Sequence, residues 1–203
     1  MFLAQAPIFS EFLFFRYINK RMKWLSFIHR DNRYHLSHLN SFEWRYTAKA
    51  SGKRPERAYK FRVTFSMHCF TRKPLPGEQI AKEMWYRGPR ERRAFCFERY
   101  RLSHRLPTII RSLGERTCYR TAHGNFLTVE LTDEEGERIE YEIYFDVTRA
   151  SRRGWLNLTV QSAYRRTRDD EVRRLGKRKI RRKVHLDVIV YNRQLNTMIR
   201  PER

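Results

Sequence analysis

From Asn125 to Tyr164 the sequence NFLTVELTDEEGERIEYEIYFDVTRASRRGWLNLTVQSAY alternates apolar and polar residues through three consecutive runs. A period of two places alternate side chains on opposite faces of a strand, so the runs predict a three-stranded antiparallel meander. The inward stripes are Leu127, Val129 and Leu131; then Ile139, Tyr141, Ile143, Phe145 and Val147; then Leu156, Leu158 and Val160. Turn chemistry separates them at Asp133-Glu134-Glu135-Gly136 and at Ser151-Arg152-Arg153-Gly154. Pairing inward residues with each other sets Leu131 opposite Ile139 and Val147 opposite Leu156.

The remaining elements arrange themselves around that sheet. Tyr59 to Ser66 alternates Tyr59, Phe61, Val63 and Phe65 with polar residues and predicts a strand, which a continuation to Cys69 would lengthen. Thr71 to Gly77 is a loop, Glu78 to Tyr86 a short helix or irregular arm, and Arg93 to Phe97 a short strand. Tyr100 to Glu115 carries Leu102, Leu106, Ile109, Ile110 and Leu113 on one stripe, with Ser103 as N-cap, Pro107 in the first turn and Gly114 at the stop. After the meander, Lys183 to Tyr191 predicts a last strand with Val184, Leu186, Val188 and Val190 inward. The order predicts an α+β fold, one antiparallel sheet with a main helix packed across it.

Domain organisation follows from a change in character near residue 56. Ala48 to Glu56 is a polar stretch with Gly52 and Pro55, and it sets apart a basic aromatic extension, residues 1–56, from a single α+β domain, residues 57–203. Phe12 to Ile28 predicts a basic aromatic helix that packs on the domain, lies on a membrane surface or binds RNA. The alternative is a loosely docked extension, or a start codon assigned too far upstream. The apolar run Phe2 to Phe15 is broken by Gln5, Pro7, Ser10 and Glu11 and is too short to span a bilayer. It also lacks the pattern of a signal peptide.

Charge narrows the partners. Among 203 residues, 44 Lys and Arg stand against 22 Asp and Glu, a formal charge of +22. Such a chain repels itself unless it meets a polyanion or an acidic partner. Most of the cations are arginines, whose planar fork suits phosphate and stacks on bases. Nucleic acid, RNA first, is the expected partner, and an acidic protein is the next. The three widely spaced cysteines, Cys69, Cys96 and Cys118, fit a reducing cytoplasm better than a disulfide framework.

No serine elbow, P-loop, dinucleotide fingerprint or HExxH motif occurs, so no cofactor is expected. The expected register sets Glu130 beside Glu140, a like-charge pair that arginine balances more readily than a divalent metal in so basic a chain. His68 and Cys69 are neighbours on a strand and point to opposite faces, which argues against a shared zinc. The basic candidates for phosphate contact are Arg101 and Arg105 at the helix start, Arg165 and Arg166 at the end of the meander, and Arg173, Arg174, Lys177, Arg178, Lys179, Arg181 and Arg182 beyond it. Metal-free RNA cleavage needs a proton acceptor, a proton donor and fixed cations, and His104, Ser162 and Tyr164 are the residues that would meet this need beside those arginines. The bland reading of the same residues is a polar helix start and a solvated basic edge.

The segments FERYRLSHRLPTIIRSL, NFLTVEL, YEIYFDV and LNLTVQSAYRR resemble a family of small uncharacterised proteobacterial proteins associated with mobile elements, over residues 58–200. That resemblance implies no particular activity. A second likeness is architectural: a helix followed by a meander ending in Ser162-Ala163-Tyr164 is similar to nucleases of the barnase, EndoU, colicin and RelE type. It implies a toxin-type, metal-independent endoribonuclease in which Ser162, Tyr164 and a helix-borne His104 serve the chemistry. The alternatives are a noncatalytic nucleic-acid-binding or scaffold protein and a docking module for an acidic protein.

Overall fold

The computed structural model describes residues 23–52, 55–121, 123–134, 137–166 and 182–197. Two short strands open it, β1 (Phe27–His29) and β2 (Asn32–Tyr34), joined through Arg30 and Asp31, both with positive φ as a tight two-residue hairpin turn requires. β3 (Phe42–Ala48) and β4 (Arg57–Phe65) pair antiparallel. The stretch read as a linker at residues 48–56 therefore connects two strands of one sheet, and part of the expected extension supplies an edge strand. The expected helix over Phe12 to Ile28 falls mostly outside the described residues, and where it is described Phe27–His29 is strand.

A small sheet of three strands, β5 (Thr71–Arg72), β6 (Trp85–Arg87) and β7 (Arg92–Phe95), follows in the order β5-β7-β6. α1 (Phe97–Ser103) and α2 (Leu106–Arg111) come next, then β8 (Cys118–Arg120), β9 (Phe126–Glu134), β10 (Glu137–Arg149), β11 (Trp155–Arg165), β12 (Arg182–Val184) and α3 (Leu186–Leu195). The main sheet has seven strands in the order β12-β8-β9-β10-β11-β4-β3. All its pairs are antiparallel except β11 with β4, so the sheet is mixed. The α+β architecture holds.

The expected single helix from Tyr100 to Glu115 is two short helices broken at His104 and Arg105. Pro107 has no N–H to give the carbonyl four residues back, that of Ser103, so the helix cannot run through. Ser103 is not an N-cap: its side chain is fully buried and its hydroxyl donates to the Tyr100 carbonyl at 2.6 Å. The expected last strand is also corrected. Only its start is strand, and Leu186, Ile189 and Val190, buried at i, i+3 and i+4, form the inner stripe of α3, whose end is marked by left-handed Asn196.

The meander forms, with a different register. Glu134 pairs with Glu137, leaving two residues between them instead of the four-residue turn read from sequence. This opposes Leu131 to Glu140 and Thr132 to Ile139, a one-residue slip that exchanges the faces of β9. Phe126 and Thr128 therefore share the buried side with Phe145 and Ile143, while Leu131 is half exposed. Between β10 and β11 the register is Val147 with Leu158, and a bulge between Tyr144 and Phe145 leaves Gln161 unpaired. Beyond the bulge Ala163 takes the inward place beside Ile143, and Ser162 and Tyr164 lie on the face of Tyr144 and Glu142.

One core results. Tyr59, Phe61, Val63 and Phe65 of β4, Ile143, Phe145 and Val147 of β10, and Leu156, Leu158 and Val160 of β11 are buried with Leu102, Leu106, Ile109 and Ile110 of the helices. Each such side chain contributes about 1.5–3 kcal/mol by leaving water. Gly114 is fixed by packing: a Cβ there would lie 2.4 Å from the Tyr46 ring, whose hydroxyl is bonded to Asp187 of α3.

Candidate functional site

The break between α1 and α2 turns His104 toward the segment before β3. Its ring stacks on His38 with centroids 3.8 Å apart and 15° between planes, and meets Tyr100 edge-on at 4.9 Å. His38 Nε2 lies 2.8 Å from the Ser103 hydroxyl. A neutral imidazole carries one N–H and His38 also faces the His35 carbonyl, so the tautomer decides which partner donates in this bond. Ser103 is fully buried and its hydroxyl is held between the Tyr100 carbonyl and His38, so it is not arranged as a nucleophile. Burial and the neighbouring His104 lower the His38 pKa to about 4, and the opposing pull of the His35 carbonyl is the smaller effect. His104 is also lowered, by burial. At neutral pH the pair is two stacked neutral imidazoles.

Around this pair stands an aromatic block. Tyr34, Phe95, Phe97 and Tyr100 make mutual ring contacts at 5.1–5.8 Å, and Phe27 stacks on Phe95 at 3.9 Å. The hairpin of β1 and β2 is thereby fastened to the small sheet and to α1. His38 was missed from the sequence because it lies in the stretch assigned to an extension.

Ser162 and Tyr164 belong to a different neighbourhood. Tyr164 stacks on Tyr144 at 5.7 Å, and the Arg99 guanidinium covers its ring at 5.1 Å while bonding the carbonyls of His68 and Thr71. Tyr144 donates its hydroxyl to Glu142, a carboxylate with no exposed surface, and burial pushes the Tyr144 hydroxyl pKa up. Among the described residues no ring contact or hydrogen bond joins His104 to Ser162 or Tyr164. α1 does reach the end of β11 through other side chains, Arg99 to Tyr164 and Glu98 to Arg165 at 3.8 Å.

The glutamates are balanced by arginine, though not side by side as expected. Glu130 bonds Arg116, and Glu140 bonds Arg166 at 2.9 Å, on opposite faces of the meander. Arg101 and Arg105 are exposed at the helix break, and Arg182 starts β12. Arg173, Arg174, Lys177, Arg178, Lys179 and Arg181 lie outside the described residues. Cys69 and Cys118 are buried thiols pushed up to about 12. His68 bonds Glu91 at 2.6 Å, and Met67–Cys69 is a 3-10 turn rather than the expected continuation of the strand, with Cys69 fully buried. Among the described residues no three His, Cys, Asp or Glu side chains gather as a metal site, and no helix is long and apolar enough to cross a membrane.

The opposite face of the sheet is polar and basic. Register sets Arg45, Lys60 and Trp155 in one row across β3, β4 and β11, and Glu43, Arg62, Asn157 and Thr148 in the next. The Arg152 guanidinium covers the Trp155 ring at 4.6 Å, and Thr64 and Thr159 share a hydrogen bond at 3.1 Å further along. Sequence alternation foretells the polarity of this face. The parallel pairing that assembles its rows is not legible in any local pattern.

These features fall within the span over which the chain is related to known proteins. Protein YjaZ of Escherichia coli (strain K12) is 32% identical over 145 residues, which cover 70% of this chain and 79% of that protein. No solved structure matches. The YjaZ family pattern matches residues 26–194, from the first hairpin through α3, and the chain belongs to the YjaZ family.

Proposed function

We propose that the protein binds nucleic acid, single-stranded RNA first, on the outward face of β3, β4 and β11. The observation that carries this reading is the row Arg45, Lys60 and Trp155 with Arg152 over the indole, set in a chain of charge +22. An indole supplies a stacking plane that accepts any base, and flanking cations follow the phosphates. Cytoplasmic location accords with three free thiols, Cys69, Cys96 and Cys118. The basic run at residues 165–182 would add to the same electrostatic attraction.

Fluorescence anisotropy with a short single-stranded RNA tests the reading. Affinity should fall steeply with salt, and replacing Lys60 or Arg45 with Ala should reduce the slope of log affinity against log salt by about 0.7 each. Trp155→Ala should weaken binding by about 1–3 kcal/mol. Salt-insensitive binding, or binding indifferent to all three changes, would overturn it. If the partner is an acidic protein, co-purification will survive nuclease treatment, and this reading fails.

A catalytic reading, a metal-independent endoribonuclease of toxin type, is favoured by one observation: two stacked histidines beside Tyr100, with Arg101 and Arg105 at the same helix break. A neutral His38 at physiological pH can accept a proton, and His104 is exposed to meet a substrate. RNA incubated with the protein in EDTA should then yield 2′,3′-cyclic phosphate ends, lost in His104→Ala. Intact RNA at high protein concentration rules this out while leaving binding untouched.

A further inference from the structure

Among the described residues the seven-stranded sheet ends in two unlike edges. One is β12, three residues long, of which Arg182 and Lys183 are exposed cations. Short length and charge are what keep a bare strand from pairing with another chain. The other edge is β3, seven residues reading FEWRYTA, with no proline. Glu43 and Arg45 cancel, so this edge carries no net charge in a chain of +22. Its ladder with β4 runs from Phe42 to Ala48 without a bulge, and among the described residues no strand or backbone hydrogen bond meets its other side. Every device that guards β12 is missing from β3.

Alternation divides the side chains of β3 between the two faces of the sheet. Phe42, Trp44 and Tyr46 lie on the core side, where Trp44 stacks on Phe61 at 5.1 Å and the Arg111 guanidinium covers Phe42 at 4.0 Å. All three rings keep part of their surface in water. Glu43, Arg45 and Thr47 point the other way and are exposed, and neither Glu43 nor Arg45 makes a hydrogen bond or ion pair among the described residues. Within the sheet Glu43 lies beside Arg62, but Arg45 lies beside Lys60, a like charge. The row of Arg45 therefore lacks an anion, and its open end is the free edge.

We infer that β3 is a dimer interface whose occupant is the β3 of a second copy of this chain, antiparallel to it about a two-fold axis at Trp44. Antiparallel pairing that keeps the core sides together can centre on any residue of the strand, and charge selects among the centres. Centring on Glu43 sets Glu43 against itself, centring on Arg45 sets Arg45 against itself, and centring on Tyr46 sets Arg45 against Thr47. Centring on Trp44 sets Glu43 opposite the second copy's Arg45, twice over by symmetry, and Phe42 opposite its Tyr46, with the two Trp44 side chains meeting at the axis. Each Arg45 gains the anion that its own row lacks. The operation uses both β3 edges and leaves a guarded β12 at each end, so assembly stops at two. A strand-edge contact is smaller than a standard interface, and the association is weak and reversible. It does not depend on the nucleic-acid reading, although it sets the two outward faces side by side.

The experiment is sedimentation velocity of the full chain, freed of nucleic acid by nuclease, from about 1 μM to about 200 μM protein in about 0.15 M salt, which screens the net charge beyond about 8 Å. The weight-average mass should rise from the 25.0 kDa of one chain towards twice that value. Glu43→Arg and Arg45→Glu, both at exposed positions, each turn two attractive pairs into two repulsive ones and should weaken the dimer at least about tenfold. Melting temperature at the dilute end, where the chain is monomeric, should stay unchanged. The double variant exchanges the two charges and should restore the dimer to within about threefold of the original. The inference is overturned if the chain stays monomeric at the highest concentration, if the dimer is indifferent to both single changes, or if the double variant does not recover. Doubling of mass seen only before nuclease treatment also overturns it, since nucleic acid is then the bridge. A dimer without RNA affinity sinks the nucleic-acid reading alone, and RNA binding by a chain that is monomeric throughout sinks this one alone.

Discussion

The histidine pair at the helix break and Arg193 in the last turn of α3 solve opposite electrostatic problems. His38 and His104 are packed among aromatic rings and respond by giving up charge, since burial lowers both. Arg193 cannot give up its charge at any accessible pH; its side chain stays about one-third exposed and pairs with Asp146 at 3.3 Å. The same desolvation that neutralises an imidazole makes a guanidinium seek an anion. A buried titratable group can therefore stand without a counter-ion, where a permanent cation keeps one in Asp146.

That contrast can be broken most severely in the core under the arginine. Phe126 is fully buried beneath Arg193 and beside Phe145, and Phe126→Ala should cost about 3–5 kcal/mol, read as a lower urea midpoint at constant slope. A cost below about 1 kcal/mol would show that Arg193 does not rest on the core. At the histidine pair Ser103→Ala should cost about 1–3 kcal/mol, because it leaves the partly buried His38 Nε2 without its hydrogen-bond partner. An unchanged midpoint there would mean that His38 is not held by Ser103.

The pH dependence sharpens the comparison further. A histidine whose folded pKa lies below its unfolded value contributes nothing adverse above pH 6.5 and destabilises as pH falls, because the unfolded chain takes up the proton first. For His38 the loss runs from about 6.5 to about 4 and, discounted for partial exposure, amounts to about 1–2 kcal/mol. Between pH 6.5 and 4.5 the histidines act before the carboxylates of Glu78 and Glu91, whose pKa values are lowered by Arg72 and His68. His38→Gln should flatten that window in a melting-temperature profile, and a profile unchanged by the substitution would contradict the burial argument. The smallest effect belongs to the partly exposed pair Arg116 and Glu130, where Arg116→Ala should cost about 0.2–1 kcal/mol and less in high salt.

Much of the sheet was legible because alternation is local: Tyr59 to Phe65 and the inward residues of β10 and β11 read directly from period two. Register was not. One turn two residues shorter than its composition suggests moved Leu131 to the other face, and one bulge at Gln161 did the same to Ser162 and Tyr164. The last segment misled because Val184, Leu186, Val188 and Val190 alternate while Leu186, Ile189 and Val190 also fit a helix, and apolar runs this short obey both periods. At the candidate site His104 was visible and its stacking partner was not. His38 meets it across a sequence separation of 66 residues, spanning what composition alone divides into extension and domain.

The parallel contact between β4 and β11 has a consequence for how the chain is made. Lys60 cannot meet Trp155 until the 94 residues between them, nearly half of the polypeptide, have been synthesised. Until then the hairpin of β3 and β4 carries an apolar face with Phe61 and Phe65 and one unpaired edge, in a nascent chain that is already strongly cationic. Such long-range pairing slows folding, and a bare strand edge invites pairing with another chain. Mutual repulsion between the basic chains would then act as a kinetic guard, keeping unfinished copies apart until β11 arrives.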